Sequence, residues 1–131
     1  MAESESRLDQ DVINLLESHV PTVEHLEVLL LVSSSPEHWW TVRAVNDLLR
    51  SREDSIRSRL RELCEQGLLD KQASADSYRL KEDLQPIDLM QRLRAAYKTF
   101  RVRVIEIIYA PKRSPLTEFS RAFEFKRSKR E

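Results

Sequence analysis

The stretch SREDSIRSRLRELCEQGLLD, residues 51–70, decides the fold prediction for this chain. Apolar side chains recur on one helical face at Ile56, Leu60, Leu63 and Cys64. This face is expected to contact a core, while the opposite face, which carries several arginines, stays exposed. Gly67 can adopt the left-handed conformation that ends a helix. The stretch therefore predicts an amphipathic helix from residue 53 to residue 66.

The composition limits the class of protein. The 131-residue chain is 40% hydrophobic and 34% charged, which is typical of a helical globular protein and not of a disordered one. Its one glycine disfavours a β-sandwich and excludes a glycine-rich phosphate loop. One cysteine cannot form an internal disulfide, and an acidic N-terminus without a long apolar run predicts neither a signal peptide nor a membrane span. We therefore expect a mainly helical cytoplasmic protein.

Charge is unevenly spread, although the formal net charge is zero. Residues 1–30 carry seven acids and one base, whereas residues 112–131 carry seven bases and three acids. The acidic head or the basic tail could therefore hold a protein partner of opposite charge. The tail also contains Phe119, Phe123 and Phe125. These residues could dock on the rest of the protein, contact another protein or lie on a membrane, and of these we favour docking and do not expect a membrane contact.

Helical periodicity predicts three helices before residue 51, where the deciding stretch begins. The first covers about residues 8–18 and ends before a proline. Thr22 can cap a second, largely buried helix that continues to Pro36. Thr41 opens a third helix with an apolar inner face.

A small β-hairpin and one long helix are predicted after Gly67. The hairpin turns at Ala73–Asp76, and its second strand alternates apolar and charged residues. From Pro86 to about Ala110, apolar residues recur every three or four positions, as in a coiled-coil seam. A domain of this size leaves part of so long a stripe uncovered, so we expect the helix to join two copies of the chain. The predicted dimer interface consists of Leu89, Leu93, Ala96, Phe100, Val104 and Ile107.

This order of elements resembles the winged helix-turn-helix superfamily. The residues WWTVRAVNDLLRSREDSIRSRLRELCEQGLLDKQASADSYRL carry the resemblance. With a long helix after the wing, the chain resembles small bacterial one-domain transcription regulators. The resemblance implies a mostly α fold with a small β-hairpin wing, in which a winged helix-turn-helix core precedes a long C-terminal dimerisation helix. It divides the chain into an acidic N-terminal helix at 1–21, the winged domain at 22–83, the dimerisation helix at 84–110 and a basic amphipathic tail at 111–131.

The function implied by the resemblance is that of a homodimeric, DNA-binding transcriptional regulator. The helix at 53–66 would be the recognition helix in the major groove, and the wing would contact the flank. Arginines there can pair with guanine edges or phosphates, and serines with either. The DNA-binding residues predicted in this way are Arg43, Arg50, Ser51, Arg52, Asp54, Ser55, Arg57, Ser58, Arg61, Lys71, Gln72, Ser77 and Arg79. The alternative, motivated by the zero net charge, is a winged-helix protein–protein interaction module that does not bind DNA.

Catalysis and metal binding are not expected. His19, His25 and His38 lie in separate segments without the spacing of a metal site, so we predict no metal and no cofactor. Cys64 belongs to the apolar face and is expected to be an inert, buried thiol. The sequence has no nucleophile motif, no zinc-protease motif and no phosphate loop. An enzyme is therefore not predicted.

Overall fold

Six α-helices and three short strands make up the part of the chain that the computed structural model describes, residues 8–84 and 88–110. The helices are α1 (Gln10–His19), α2 (Val23–Ser33), α3 (Val42–Leu49), α4 (Glu53–Glu65), α5 (Leu89–Thr99) and α6 (Arg101–Tyr109). The strands are β1 (Trp40–Thr41), β2 (Leu69–Lys71) and β3 (Ser77–Leu80), and a 3-10 turn covers Glu82–Leu84. The fold is thus mostly helical with a small antiparallel sheet, as the sequence predicts.

Threonine side chains cap the start of α2 and of α3. The Thr22 hydroxyl accepts a hydrogen bond from the backbone N–H of His25 at 3.2 Å. The Thr41 hydroxyl accepts from the N–H of Ala44 at 3.0 Å. Each bond satisfies a donor that the first turn of a helix leaves free, which typically stabilises a protein by about 1 kcal/mol. The helix starts predicted at these threonines are confirmed.

Helix α4 is amphipathic, as the deciding stretch predicts. Its fully buried residues are Ile56, Leu60 and Leu63, and the helix packs against α2, α3 and β2. Cys64 is half-buried at the edge of this stripe. Gly67 has a φ of 83°, and the N–H of Leu68 donates to the carbonyl of Leu63 at 3.0 Å. This bond and the left-handed glycine form the helix ending that the sequence predicts.

The sheet has the strand order β1–β3–β2, with both pairs antiparallel. The predicted hairpin is confirmed as β2 and β3, in which Asp70 lies opposite Arg79. Strand β1 was not predicted, because two residues are too short to show an alternating pattern. It pairs Trp40 with Tyr78 and leads directly into α3, so it attaches the start of α3 to the hairpin.

The continuous helix predicted within 84–110 is wrong, because the chain forms α5 and α6 with a break at Phe100 (φ −121°, ψ 48°). A straight helix over residues 89–109 would be about 32 Å long, roughly twice the length of α1. The break lets both α5 and α6 pack on α1. Four of the predicted dimer-interface residues are consequently buried within the chain, namely Leu93, Ala96, Val104 and Ile107, while Leu89 and Phe100 are half-buried. The uncovered seam on which we based the dimer prediction is therefore not present between residues 88 and 110.

The first and last described helices meet on one side of the core. Helix α1 contacts α5 and α6, and α5 also contacts α2. The hydroxyl of Tyr109, at the end of α6, accepts the N–H of Val23 at 3.1 Å, so α6 also reaches the start of α2. The predictions for residues 1–7 and for the basic, aromatic tail at 111–131 lie outside the described residues. None of the helices in the described ranges is long and apolar enough to cross a membrane.

Candidate nucleic-acid interface

The face of α4 opposite its apolar stripe carries charges of both signs. Asp54, Arg57 and Arg61 are exposed there, and Ser58 is half-buried. The Arg61 side chain makes no hydrogen bond or ion pair with any residue that the structure describes. Arg52, which directly precedes α4, is exposed and equally unpaired within these residues. No described residue therefore restrains either guanidinium group.

Arg57 is held by the turn between β2 and β3. Its Nη1 pairs with Oδ2 of Asp76, whose Oδ1 accepts a hydrogen bond from the Tyr78 hydroxyl at 3.0 Å. Partial burial raises the pKa of the Asp76 carboxyl, but the hydrogen bonds from Tyr78 and Arg57 outweigh it and lower that pKa below its ordinary value. Burial and the bond to Asp76 raise the pKa of Tyr78 to about 12. The turn and the exposed face of α4 are thus linked through one carboxylate.

Two of the predicted DNA-binding serines bond to Glu24 of α2 instead of presenting free hydroxyl groups. The hydroxyl of Ser51 donates to Oε2 of Glu24 and that of Ser55 to Oε1, each at 2.5 Å. Arg59 Nε donates to the same Oε1 at 3.0 Å, and its Nη1 donates to Glu62 at 2.8 Å. Burial raises the pKa of the Glu24 carboxyl, but these three donors outweigh it and lower that pKa. Glu24 therefore joins α2 to the first two turns of α4.

The same polar network continues to His25, whose side chain is only 3% exposed. Its Nε2 lies 2.6 Å from Oε1 of Glu62, and its Nδ1 lies 2.7 Å from the Thr22 hydroxyl. A neutral ring that donates to Glu62 and accepts from Thr22 satisfies both nitrogens. Burial lowers the pKa of His25 and outweighs the opposing hydrogen bond to Glu62, and the positive charge of Arg59 lowers it further.

The β2–β3 ribbon offers fewer free side chains than the sequence predicts. Lys71 is exposed, but Ser77 is buried and donates to Gln72 at 2.8 Å. The Arg79 guanidinium lies over the ring of Trp39, 4.5 Å from its centroid. Arg79 is half-buried, so this contact covers much of a side chain that was expected to face DNA. Within the described part of the ribbon, Lys71 remains the exposed cation.

The turn between α3 and α4 brings further arginines to the same region. Arg43 is 80% exposed and lies 3.7 Å from Glu53, a weak solvated pair. Arg50 ends α3 in the left-handed conformation, with φ 59° and ψ 44°, and its side chain is exposed. Asn46 supports this turn by accepting the N–H of Ser51 at 3.0 Å. The exposed arginines that the structure groups on α3, the turn and α4 are Arg43, Arg50, Arg52, Arg57 and Arg61.

Sequence reasoning missed the three residues that restrain this surface, namely Glu24, Arg59 and Asp76. Arg59 is half-buried beside the apolar stripe of α4, and helical periodicity alone could have predicted this position. The other two are contributed by distant segments. Among the described residues, no group of histidine, cysteine, aspartate and glutamate side chains could hold a metal ion. Comparisons of the chain with protein-family models, with curated proteins and with solved structures find no match.

Proposed function

We propose that the chain binds double-stranded DNA through α4 and the β2–β3 ribbon, as a transcriptional regulator does. The observation that carries the proposal is the group of five exposed arginines on α3, α4 and the turn between them, of which Arg50, Arg52 and Arg61 have no side-chain partner among the described residues. Arginines that neutralise phosphates release condensed counterions, and this release supplies much of the affinity of a protein for DNA. We expect Arg50, Arg52 and Arg61 to supply most of it here.

The dimensions of α4 suit a major groove. Its 13 residues span about 20 Å, and a groove about 12 Å wide admits one helix. Arg57 and Arg61 are one turn apart and lie on the same exposed face. Asp54 can accept a hydrogen bond from the amino group of a cytosine, whereas it repels phosphates. We therefore expect the start of α4 to face base edges and Arg61 to lie nearer the sugar–phosphate backbone of the DNA.

Homodimerisation stays a separate prediction, because regulators of the class that the sequence resembles act as dimers. We assign no surface to it, since most of the predicted seam on α5 and α6 is covered by the chain itself. Sedimentation velocity at several protein concentrations, with and without duplex, measures it directly. A single monomer species under all these conditions would contradict the prediction.

A protein–protein interaction module is the second candidate, and one charge observation favours it. The chain has 22 acidic and 22 basic residues. Residues 1–7 contain two of the acids and one of the bases, and residues 111–131 contain three acids and seven bases. The described residues therefore carry 17 acids against 14 bases. A body of negative net charge suits a basic protein surface better than it suits DNA.

Fluorescence anisotropy with a pool of random duplexes, measured across a salt series, separates the two candidates. We expect binding that weakens with salt, and a double variant Arg52→Ala/Arg61→Ala whose slope of log K against log salt is smaller by about 1.8. Arg103→Ala controls for the loss of one positive charge outside the proposed interface, because Arg103 is an exposed arginine on α6 with only a weak pair to Glu106. Absence of duplex binding at low salt by the folded protein would refute DNA binding and favour a protein partner.

A further inference from the structure

The ion pair between Arg57 and Asp76 connects the two elements of the proposed DNA interface. We propose that Asp76 is an internal competitor of DNA phosphate, which holds Arg57 in the free protein and exchanges it for a phosphate when duplex binds. The inference rests on the proposed function and adds a control of affinity to that site. Asp76 acts on DNA only through Arg57 and through its own negative charge.

The Asp76 carboxylate is positioned by the core and not by the ion pair alone. Its Oδ1 accepts the hydrogen bond of the Tyr78 hydroxyl at 3.0 Å, and Tyr78 is buried with 2% exposure. Tyr78 lies opposite Trp40 on one neighbouring strand and opposite Lys71 on the other. One carboxylate oxygen is therefore anchored to the middle of the sheet, which leaves Oδ2 directed toward α4.

Exchange of partners is possible because the ion pair is solvated. The side chains of Arg57 and Asp76 are 46% and 43% exposed, and exposed pairs of this kind are weak. A phosphate diester is also an anion, and it can bind the planar guanidinium through two parallel hydrogen bonds, whereas the pair with Asp76 joins Nη1 to Oδ2. The high density of phosphates along a duplex favours the exchange. We expect the Arg57 side chain to rotate toward a DNA phosphate while the Asp76 carboxylate keeps its hydrogen bond with Tyr78.

The exchange leaves Asp76 as an unpaired anion beside the DNA. Repulsion between this carboxylate and the phosphates, together with the ion pair that must first break, lowers the affinity of the wild-type protein. Arg61 lies one turn along the same face and has no such partner among the described residues, so it binds phosphate without this cost. Asp76 therefore lowers the affinity for duplex, and Arg57 offsets part of this loss only where a phosphate lies within its reach.

Asp76→Asn tests the inference, because it removes the charge and keeps the shape. We expect duplex binding to become about threefold to tenfold tighter near 0.1 M salt, because no ion pair has to break and no carboxylate repels the phosphates at this position. In an Arg57→Ala background the same substitution should bring only the small gain expected from one fewer anion, because there is no longer a guanidinium to release. Asp70→Asn is the matched control, since it makes the same charge change on the same ribbon.

The outcomes separate this inference from the proposed function. If the wild-type protein binds no duplex, the proposed function fails, and the inference fails with it. If the wild type binds but Asp76→Asn gains no more than Asp70→Asn, only the inference is overturned. A gain that is equally large with and without Arg57 also overturns it, because the effect would then be one of net charge. Asp76→Ser repeats the measurement if the asparagine variant does not melt like the wild type.

Discussion

Removing the Glu24 carboxylate should loosen the junction between α2 and α4. Glu24 is contributed by α2, and its side chain is 27% exposed. It accepts hydrogen bonds from Ser51, Ser55 and Arg59, which belong to the start of α4 and to the turn before it. No other single side chain in the described ranges connects α2 to this part of α4 by as many polar bonds, so the Glu24→Ala variant isolates their contribution.

The magnitude follows from the exposure of each donor. Ser51 is exposed, so water competes for its hydrogen bond and its loss costs about 0.5 kcal/mol. Ser55 and Arg59 are half-buried, and each bond should contribute about 1 kcal/mol. Arg59 keeps its bond to Glu62 in the variant, so its charge is not left unpaired. The free energy of unfolding should therefore fall by about 2–3 kcal/mol in Glu24→Ala and by about 1 kcal/mol in Glu24→Gln, which keeps an acceptor.

Urea denaturation followed by circular dichroism measures these differences. Glu17→Ala is the control, because Glu17 is an exposed acid on α1 without a hydrogen bond or ion pair to the described residues, and its removal should change the midpoint little. Equal midpoints for Glu24→Ala and Glu17→Ala would refute the argument that the Glu24 network joins α2 to α4. A glutamine variant as unstable as the alanine variant would show that charge, and not acceptance of hydrogen bonds, is what stabilises the junction.

Three further measurements address the core and the buried titratable groups. Burial holds the pKa of His25 below its ordinary 6.5, so as the pH falls the unfolded chain takes up a proton before the folded chain does. The contribution of His25 to stability should therefore be complete above about pH 6.5 and decrease as the pH drops toward the folded pKa. His25→Gln should reduce the difference between the urea midpoints at pH 7.5 and 5.5. Burial raises the pKa of Cys64 to about 11, so iodoacetamide at pH 8 should modify the native thiol far more slowly than the urea-unfolded one, and equal rates would contradict the half-buried position. Leu93 is fully buried within the chain, so Leu93→Ala should lower the free energy of unfolding by about 2–5 kcal/mol at every protein concentration, whereas a concentration-dependent effect would point to an interface between copies.

Local signals in the sequence were sufficient for much of the fold. The stripe of α4, the left-handed Gly67 and the hairpin depend on residues close together in the chain, and the structure contains all of them. The break at Phe100 was missed because the apolar spacing of three and four residues continues across it unchanged. Both helices pack against α1, about eighty residues earlier, and periodicity carries no information about such a contact.

The candidate site was predictable as a set of exposed arginines but not as a network. Which of these arginines are restrained depends on partners far along the chain: Asp76 lies 19 residues from Arg57, and Glu24 lies 27 residues from Ser51. The hydroxyl groups of Ser51 and Ser55, which the sequence predicts as DNA contacts, instead donate hydrogen bonds to the Glu24 carboxylate. Single-sequence reasoning places a side chain on a helical face, whereas the choice of its partner is made by the tertiary fold.

The meeting of α1 with α5 and α6 has a consequence for synthesis of the chain. Arg92 bonds to Asp9 across 83 residues, and Tyr109 bonds to Val23 across 86. At about 5–20 residues per second, α1 leaves the ribosome about 4–17 s before these partners do. During this interval its apolar side chains, Val12, Leu15 and Leu16, have no cover from the C-terminal helices. A nascent chain that stalls before residue 89 would therefore leave the apolar face of α1 exposed to solvent, and we expect such fragments to aggregate.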